Sequence, residues 1–307
     1  MSGRAELRLG TRASRLARRQ TRAVAEALRS AYPGLDCVEV TIRTAGDRDR
    51  RTPLPEIGGK GVFTEALEAA LLAGEIDIAV HSLKDLPVAP PPRLVIAAVC
   101  FRADPRDVLV SRDGWLLDSL PQRALVGTSS TRRIAQLRSI RPDLRLESLR
   151  GNVDTRVRQA RGGRYDAICI AAAGVERLGL AETVSEYLAL DRMLPAPGQG
   201  ALAVQCAAAN RAARDLVAVL DDASTRAAVD AERAFLAGLG GGCAAPVAAF
   251  AAPEDGNGSL RLRGLAAAVD GTRVVRVTGT GAFTAPVELG RRMAAAALTQ
   301  GAGAFVG

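Results

Sequence analysis

Ile76-Asp77-Ile78-Ala79-Val80-His81-Ser82-Leu83-Lys84-Asp85-Leu86-Pro87 is the stretch from which the rest of the chain can be read. Its first half is a short apolar run of the kind a buried strand uses, and it passes straight into a polar loop that ends at proline. That loop gathers the chain's rarest charged residue types. Of 41 basic residues only Lys60 and Lys84 are lysines, and the single histidine, His81, lies three residues before Lys84. Arginine is a planar fork that stays charged, whereas lysine is a compact point charge whose protonation can be tuned. The bland alternative is a chance survivor of an arginine-biased composition. An ammonium kept beside the Asp85 carboxylate points instead to chemistry at this loop.

Outward from residues 76–80, short apolar runs alternate with helical periodicity. Strands are expected at 7–9, 38–43 and 94–99, with helices over about 15–29 and 63–72. A second series follows: a strand at 124–126, a helix from Thr131, a strand at 144–149, a helix over 153–161 and a strand at 167–171. Strands and helices alternating at this spacing imply parallel α/β sheets. Pro195-Ala196-Pro197-Gly198-Gln199-Gly200 has the composition of a hinge, and a strand follows at 201–206. After residues 221–224 come one helix, a glycine-rich loop, strands near 247–251, 259–267 and 273–280, and a helix over 286–300. The expected organisation is an α/β domain from 1–100 plus 200–220, a second α/β domain from 101–199, and a smaller α+β domain over 221–307. In open α/β sheets ligands bind beyond the carboxyl ends of the strands, where the polar loops fall.

Composition bounds the function. At 307 residues, 48% apolar and 24% charged, the chain is ordinary globular protein with room for two or three domains. A net charge of +8 calls for an anionic partner, but aromatics are only 3%, so stacking platforms for single-stranded nucleic acid are few. The arginines are spread along the chain, which suits small polyanions at least as well. Residues 1–10 carry charges and no apolar core segment, so no signal peptide is expected. The uncharged stretch 236–253 is broken by Gly238, Gly240, Gly241, Gly242, Pro246 and Pro253 and is no membrane span. Five cysteines without framework spacing fit reduced thiols. The expectation is a soluble cytoplasmic protein.

Four loops bear weight. Thr11-Arg12-Ala13-Ser14 follows a strand and opens a helix, offering Arg12 and two hydroxyls to an anion, or serving as an ordinary N-cap. Gly127-Thr128-Ser129-Ser130-Thr131-Arg132-Arg133 has four hydroxyls and two arginines in seven residues, more than capping requires. Arg150-Gly151-Asn152-Val153-Asp154-Thr155-Arg156 again sets two arginines around a strand-to-helix turn. Guanidinium groups bind carboxylates bidentately, and phosphate would fit the same donors, so these loops leave the anion open. No Walker or dinucleotide spacing is present. In Gly240-Gly241-Gly242-Cys243-Ala244-Ala245-Pro246, Cys243 follows three glycines, whose backbone can approach a ligand closely. Cys37, Cys100, Cys169 and Cys206 instead lie in or beside apolar runs, as buried small hydrophobes do. One histidine with scattered cysteines makes no zinc site. A His81–Cys243 dyad ranks below the Lys84–Asp85 pair, which already accounts for the His81 loop.

Together the segments 81–87, 127–133, 150–156, 194–200 and 240–246 closely resemble the signature segments of hydroxymethylbilane synthase, also called porphobilinogen deaminase. The resemblance runs from about residue 7 to the end and weakens after 246. It implies two α/β domains like those of type II periplasmic binding proteins plus a smaller C-terminal α+β domain. It also implies head-to-tail joining of four porphobilinogen molecules, with release of ammonia, to give the linear tetrapyrrole 1-hydroxymethylbilane. A dipyrromethane cofactor would hang from Cys243 through a thioether, and a monomer is the family expectation. By resemblance Asp85 is the catalytic residue. Lys84, Ser82, Thr128, Ser129, Ser130, Arg132 and Arg133, with Asp85, would hold the cofactor. Arg12, Ser14, Arg150, Arg156, Arg177, Gln199, Lys60 and Phe63 would meet substrate.

Departures from the family pattern are Glu56, where many members have lysine, Asp154, where a small or neutral residue is common, and Ala244-Ala245 before Pro246. Two rival classes share some features. A non-catalytic anion receptor of the periplasmic type would need neither Cys243 nor Asp85. A nucleic-acid-binding protein would rest on the +8 charge alone and show steeply salt-dependent binding.

Overall fold

The computed structural model describes residues 6–44, 64–89, 91–242, 244–254 and 258–306, arranged in two compact units. Unit 1 comprises Met1–Arg102 and Ala201–Arg226, and unit 2 comprises Ala103–Gly200 and Ala227–Gly307.

In unit 1, β1 (Glu6–Arg12), β2 (Asp36–Ile42), β3 (Ile78–Ser82), β4 (Leu94–Val99) and β10 (Leu202–Ala207) form one sheet in the order β2-β1-β3-β10-β4. Helix α1 (Arg15–Ala31) presents Val24, Ala25 and Leu28 to it at helical spacing, and these bury with Leu7, Leu9, Ile78, Val204 and Cys206. Helix α2 (Glu65–Leu72) supplies Leu67, Ala70 and Leu71 to a second cluster with Ile76, Ala79 and Leu94. Ile78, Ala79, Val80 and His81 are all buried, which is why the strand reads as a continuous run rather than an alternation.

Unit 2 contains β5 (Asp107–Ser111), β6 (Leu125–Gly127), β7 (Arg145–Glu147), β8 (Ala167–Ala171) and β9 (Glu186–Tyr187) in the order β7-β6-β8-β5-β9. Helices α3 (Thr131–Ile140), α4 (Val153–Arg161) and α5 (Ala172–Arg177) accompany it. The two sheets share one topology: second, first and third strands, then an antiparallel strand, then the fourth. In unit 1 the odd strand, β10, comes last in the chain, and in unit 2 the odd strand, β5, comes first.

That odd strand corrects the expectation of purely parallel sheets. β10 pairs antiparallel with β3 and β4, and β5 pairs antiparallel with β8 and β9. Neither arrives through a helical crossover, the connection that makes neighbouring strands parallel. A central strand buried on both faces has the same apolar composition in either direction, so its sense was invisible. β5, β9, α5 and helix α6 (Arg211–Val217) were also not anticipated.

Unit 2 also holds a three-stranded antiparallel sheet, β11 (Val247–Glu254), β12 (Ser259–Ala267) and β13 (Val274–Ala282). Helix α8 (Pro286–Thr299) packs on it through Leu289 and Met293, which lie against Gly281 and Gly279. Helix α7 (Ala223–Gly238), whose first turn is counted with unit 1, inserts the fully buried Phe235 against Gly264 of β12.

Candidate functional site

In unit 1 the His81 loop is shaped by two buried leucines. Leu83 and Leu86 bracket a single 3-10 turn over Leu83–Asp85, and Leu83 N–H is held by the Ala201 carbonyl at 3.0 Å. Anchoring Leu83 and Leu86, three residues apart, inward turns the intervening Lys84 and Asp85 outward, Lys84 half-buried and Asp85 exposed. Ser82, just before them, accepts a 2.9 Å hydrogen bond from the Gln20 amide of α1. Ser14 accepts from Ala17 N–H at 3.2 Å and is thus the N-cap of α1, while Arg12 ends β1 half-buried.

His81 points into the fold. Burial, the largest influence, and the Arg12 charge lower its imidazole to about 4, against the polar influence of Gln205. It is neutral at neutral pH, and its Nε2 is buried without a hydrogen-bond partner among the described residues.

In unit 2 the hydroxyl turn 127–133 opens α3. Ser130 caps the helix by accepting from Arg133 N–H at 3.5 Å. Ser129 donates to the Leu149 carbonyl at 2.6 Å and accepts from Leu149 N–H at 3.0 Å, which ties this turn to the head of the 150–156 loop. Thr128 is buried and accepts from Ser130 N–H at 3.4 Å. Arg150 is half-buried, and Arg156 donates from Nε to the Gly151 carbonyl at 2.7 Å.

Arg132 and Arg133 are buried, not displayed. Both reach the fully buried Asp107 at the head of β5: Arg132 Nη1 at 2.6 Å, Arg133 Nη2 at 2.7 Å and Nε at 3.0 Å. Arg132 Nη1 also donates to the Leu194 carbonyl at 2.6 Å. Burial alone would raise the Asp107 carboxyl, but the two guanidiniums overrule it and hold it well below the usual carboxylate range.

Gln199 is buried in the hinge turn and donates to Asp107 Oδ1 at 2.9 Å and to the Pro105 carbonyl at 2.8 Å. Arg177, at the end of α5, donates to the Gly200 carbonyl at 2.7 Å. Gly198 and Gly200 have φ of 76° and 93°, a region only glycine enters without strain, so the turn needs both. Glu232 of α7 accepts Gly198 N–H at 2.7 Å with one oxygen and Ala251 N–H at 2.8 Å with the other.

The glycine run before Cys243 divides its labour. Gly240, with φ of 71°, donates to the Ala237 carbonyl while Gly241 donates to Leu236, the paired bonds that end α7 in a Schellman motif. A Cβ on Gly241 would lie 2.9 Å from Leu236 Cδ1. Gly240 and Gly242 both have open space where a Cβ would sit, but of the two only Gly240 has a positive φ. Beyond Cys243, the Ala244 carbonyl accepts from Thr131 Oγ1 at 2.5 Å, so this loop is docked on the hydroxyl turn at the start of α3.

Cys243, Lys60 and Phe63, together with Glu56, lie outside the described residues. Cys37, Cys169 and Cys206 are buried as expected and Cys100 is half-buried. Burial pushes the Cys169 thiol up to about 12 and raises Cys37 and Cys206, so these three are poor nucleophiles. Among the described residues no group of histidine, cysteine and carboxylate side chains could hold a metal, and no helix is long and apolar enough to cross a membrane.

Residues that the sequence reading missed are Asp107, Gln20, Gln136 and Glu232. Gln136 pairs with Leu194 in both directions, at 3.0 Å as donor and 2.9 Å as acceptor. A lone carboxylate at the head of the apolar run Val108-Leu109-Val110 was the one available signal for Asp107.

The family model described as "Porphobilinogen deaminase, dipyromethane cofactor binding domain" matches residues 7–215, and "Porphobilinogen deaminase, C-terminal domain" matches 226–299. Curated relatives named Porphobilinogen deaminase include that of Roseiflexus castenholzii, 49% identical over 99% of both chains. That of Roseiflexus sp. is 50% identical over 97% of both chains. That of Brevibacillus brevis is 47% identical over 96% of this chain and 95% of its own. Two domain models in sequence order and relatives matched end to end leave one conclusion: the chain belongs to the porphobilinogen deaminase family, the hydroxymethylbilane synthases, transferases of tetrapyrrole biosynthesis that work on a dipyrromethane cofactor.

Proposed function

We propose that the chain extends a primer on Cys243 by four porphobilinogen units, with Asp85 as the catalytic carboxylate. The observation that carries this reading is the bond from Thr131 to the Ala244 carbonyl, because it sets the residue after Cys243 against the hydroxyl turn 127–133. The donor set suits the cofactor chemically. Each pyrrole ring carries an acetate and a propionate, and hydroxyls, backbone N–H groups at the start of α3 and arginines are the groups that bind carboxylates. Thr128, Ser129, Ser130, Arg132, Arg133, Ser82 and Lys84 would hold it, with Arg12, Ser14, Arg150, Arg156, Arg177, Gln199, Lys60 and Phe63 toward substrate. When bound, the dipyrromethane supplies the free α-carbon to which porphobilinogen is joined.

The chain's own residues then do three things. Cations and hydroxyls fix the carboxylates of the incoming ring, and positioning of this kind can supply several kcal/mol, up to ~7–11, of barrier reduction. Asp85, turned outward by Leu83 and Leu86, would accept the pyrrole N–H of the substrate. Its negative charge stabilises the positive charge that spreads onto that nitrogen as ammonia leaves. Lys84 beside it adds a cation for a carboxylate without neutralising the whole loop. The neutral His81 takes no proton at working pH.

The working domain assignment is 1–100 with 200–220, 101–199, and 221–307. The protein would act as a cytoplasmic monomer on a small-molecule substrate, without nucleic acid or membrane. The test is the intact mass of the purified protein with peptide mapping of Cys243, before and after incubation with porphobilinogen. Two linked pyrrole units on Cys243 are expected. An unmodified Cys243 after incubation removes the reading and leaves the non-catalytic anion receptor.

A further inference from the structure

Asp107 and its partners form a buried ionic group whose charges, among the described residues, do not cancel. The carboxylate is fully buried and takes four N–H donors, from Arg132 Nη1 at 2.6 Å, Arg133 Nη2 at 2.7 Å and Nε at 3.0 Å, and Gln199 Nε2 at 2.9 Å. The side chains of Arg132 and Arg133 are only 4% and 8% exposed, so two cations share one anion almost out of water. Among the described residues one unit of positive charge is left in this group, and Arg132 Nε is buried with no hydrogen-bond partner there. A buried guanidinium without a counter-ion is costly, so removing the single anion would drive both side chains from their places. Those places are in the first turn of α3, two and three residues after the capping Ser130 and immediately following Thr131, the hydroxyl bonded to the Ala244 carbonyl.

We propose that Asp107 is a positioning residue for tetrapyrrole assembly: it fixes Arg132 and Arg133 at the hydroxyl turn, with Gln199 coupling the hinge turn to the same carboxylate, and leaves that turn one net positive charge for a pyrrole carboxylate. This rests on the functional reading above, since the carboxylate is that of the cofactor or substrate. Asp107 touches neither. It acts through the arginines, and its effect belongs to binding and loading more than to the chemical step.

The test uses the full-length enzyme with Asp107→Asn and Asp107→Glu. Each variant is scored for unfolding midpoint, for the fraction of Cys243 carrying two pyrrole units after incubation with porphobilinogen, and for kcat and KM of the loaded fraction. Folded Asp107→Asn is expected to load at least tenfold more slowly and to show a KM raised at least tenfold, with kcat changed several-fold less. Asp107→Glu keeps the charge but advances the carboxylate by a methylene, so it is expected to fold and still raise KM several-fold. A merely structural role lowers the midpoint and leaves loading and KM of the folded enzyme unchanged, which overturns the proposal. Should neither variant fold, dicarbonyl labelling of wild-type arginines decides. Arg132 and Arg133 must react far more slowly than the exposed Arg145, and equal rates overturn it. A wild-type chain that never acquires the adduct fails the functional reading itself. Normal wild type with normal folded variants fails only this inference.

Discussion

Glu232→Gln is the sharpest perturbation of the hinge turn, because it changes charge and hydrogen bonding without changing volume. Glu232 is fully buried, and each carboxylate oxygen accepts one backbone N–H, from Gly198 at 2.7 Å and from Ala251 at 2.8 Å. A glutamine amide can accept only one of these. Its NH2 must face the other N–H, leaving two donors opposed in a fully buried site. Hydrogen bonds to charged groups contribute about 1.5–3 kcal/mol each, and a buried unsatisfied donor costs about 1–3 kcal/mol. Losing one charged bond and weakening the other therefore destabilises unit 2 by about 2–4 kcal/mol, with no cavity to confuse the result. Urea unfolding at pH 7 followed by circular dichroism reads the change as a lower midpoint at constant slope. The effect should reach function as well, since Gly198 precedes Gln199, whose amide holds Asp107. KM for porphobilinogen is expected to rise before kcat falls. A midpoint equivalent to less than about 0.5 kcal/mol of change, the scatter of ordinary surface substitutions, would refute the two-bond geometry.

Gly264→Ala places a Cβ 2.5 Å from Phe235 Cζ and 2.9 Å from Cε1, and Phe235 is fully buried, so overpacking is expected to cost about 1–3 kcal/mol. Phe235→Leu in the same chain should recover part of that loss, and a double-mutant cycle of urea midpoints measures the coupling. His81 has a folded-state value lowered from 6.5 to about 4, so the unfolded chain binds the proton more readily between those values. Its stabilising contribution is complete above pH 6.5 and is lost as pH falls toward 4, amounting to about 3 kcal/mol over the window. His81→Gln should flatten the unfolding midpoint between pH 7 and 4.5, and an unchanged slope would place a charged imidazole there. Asp85→Asn should keep the two-ring mass on Cys243 while turnover falls at least a hundredfold. Near-normal turnover would take Asp85 out of the chemistry.

Much of the candidate site was legible because its signals are local. The turn 127–133 shows its hydroxyls and arginines within seven residues, and the strand before it and helix after it announce an anion-competent helix start. Lys84 stood out by rarity, with the Asp85 carboxylate beside it, and the structure explains their display through Leu83 and Leu86, whose burial follows from being apolar at the edges of a 3-10 turn. The glycine run before Cys243 was visible, but its meaning was not. Gly240 serves the end of α7 through its positive φ, Gly241 serves packing against Leu236, and Gly242 has open space around it with neither constraint.

What the chain settles by itself is therefore what depends on neighbours in sequence: element type, the polar turns at strand ends, the cysteine set apart from four apolar ones, and the family resemblance those segments carry. The tertiary structure decided what depends on distant partners. Asp107 meets arginines 25 and 26 positions away and Gln199 92 positions away. Glu232 joins Gly198 to Ala251, and β10 and β5 run antiparallel in sheets whose other neighbouring pairs, β1 with β2 and β3, and β6 with β7 and β8, are parallel. No local pattern encodes these. A buried charge is recognisable only once its counter-ion is in place, and a strand buried on both faces presents the same apolar side chains whichever way it runs.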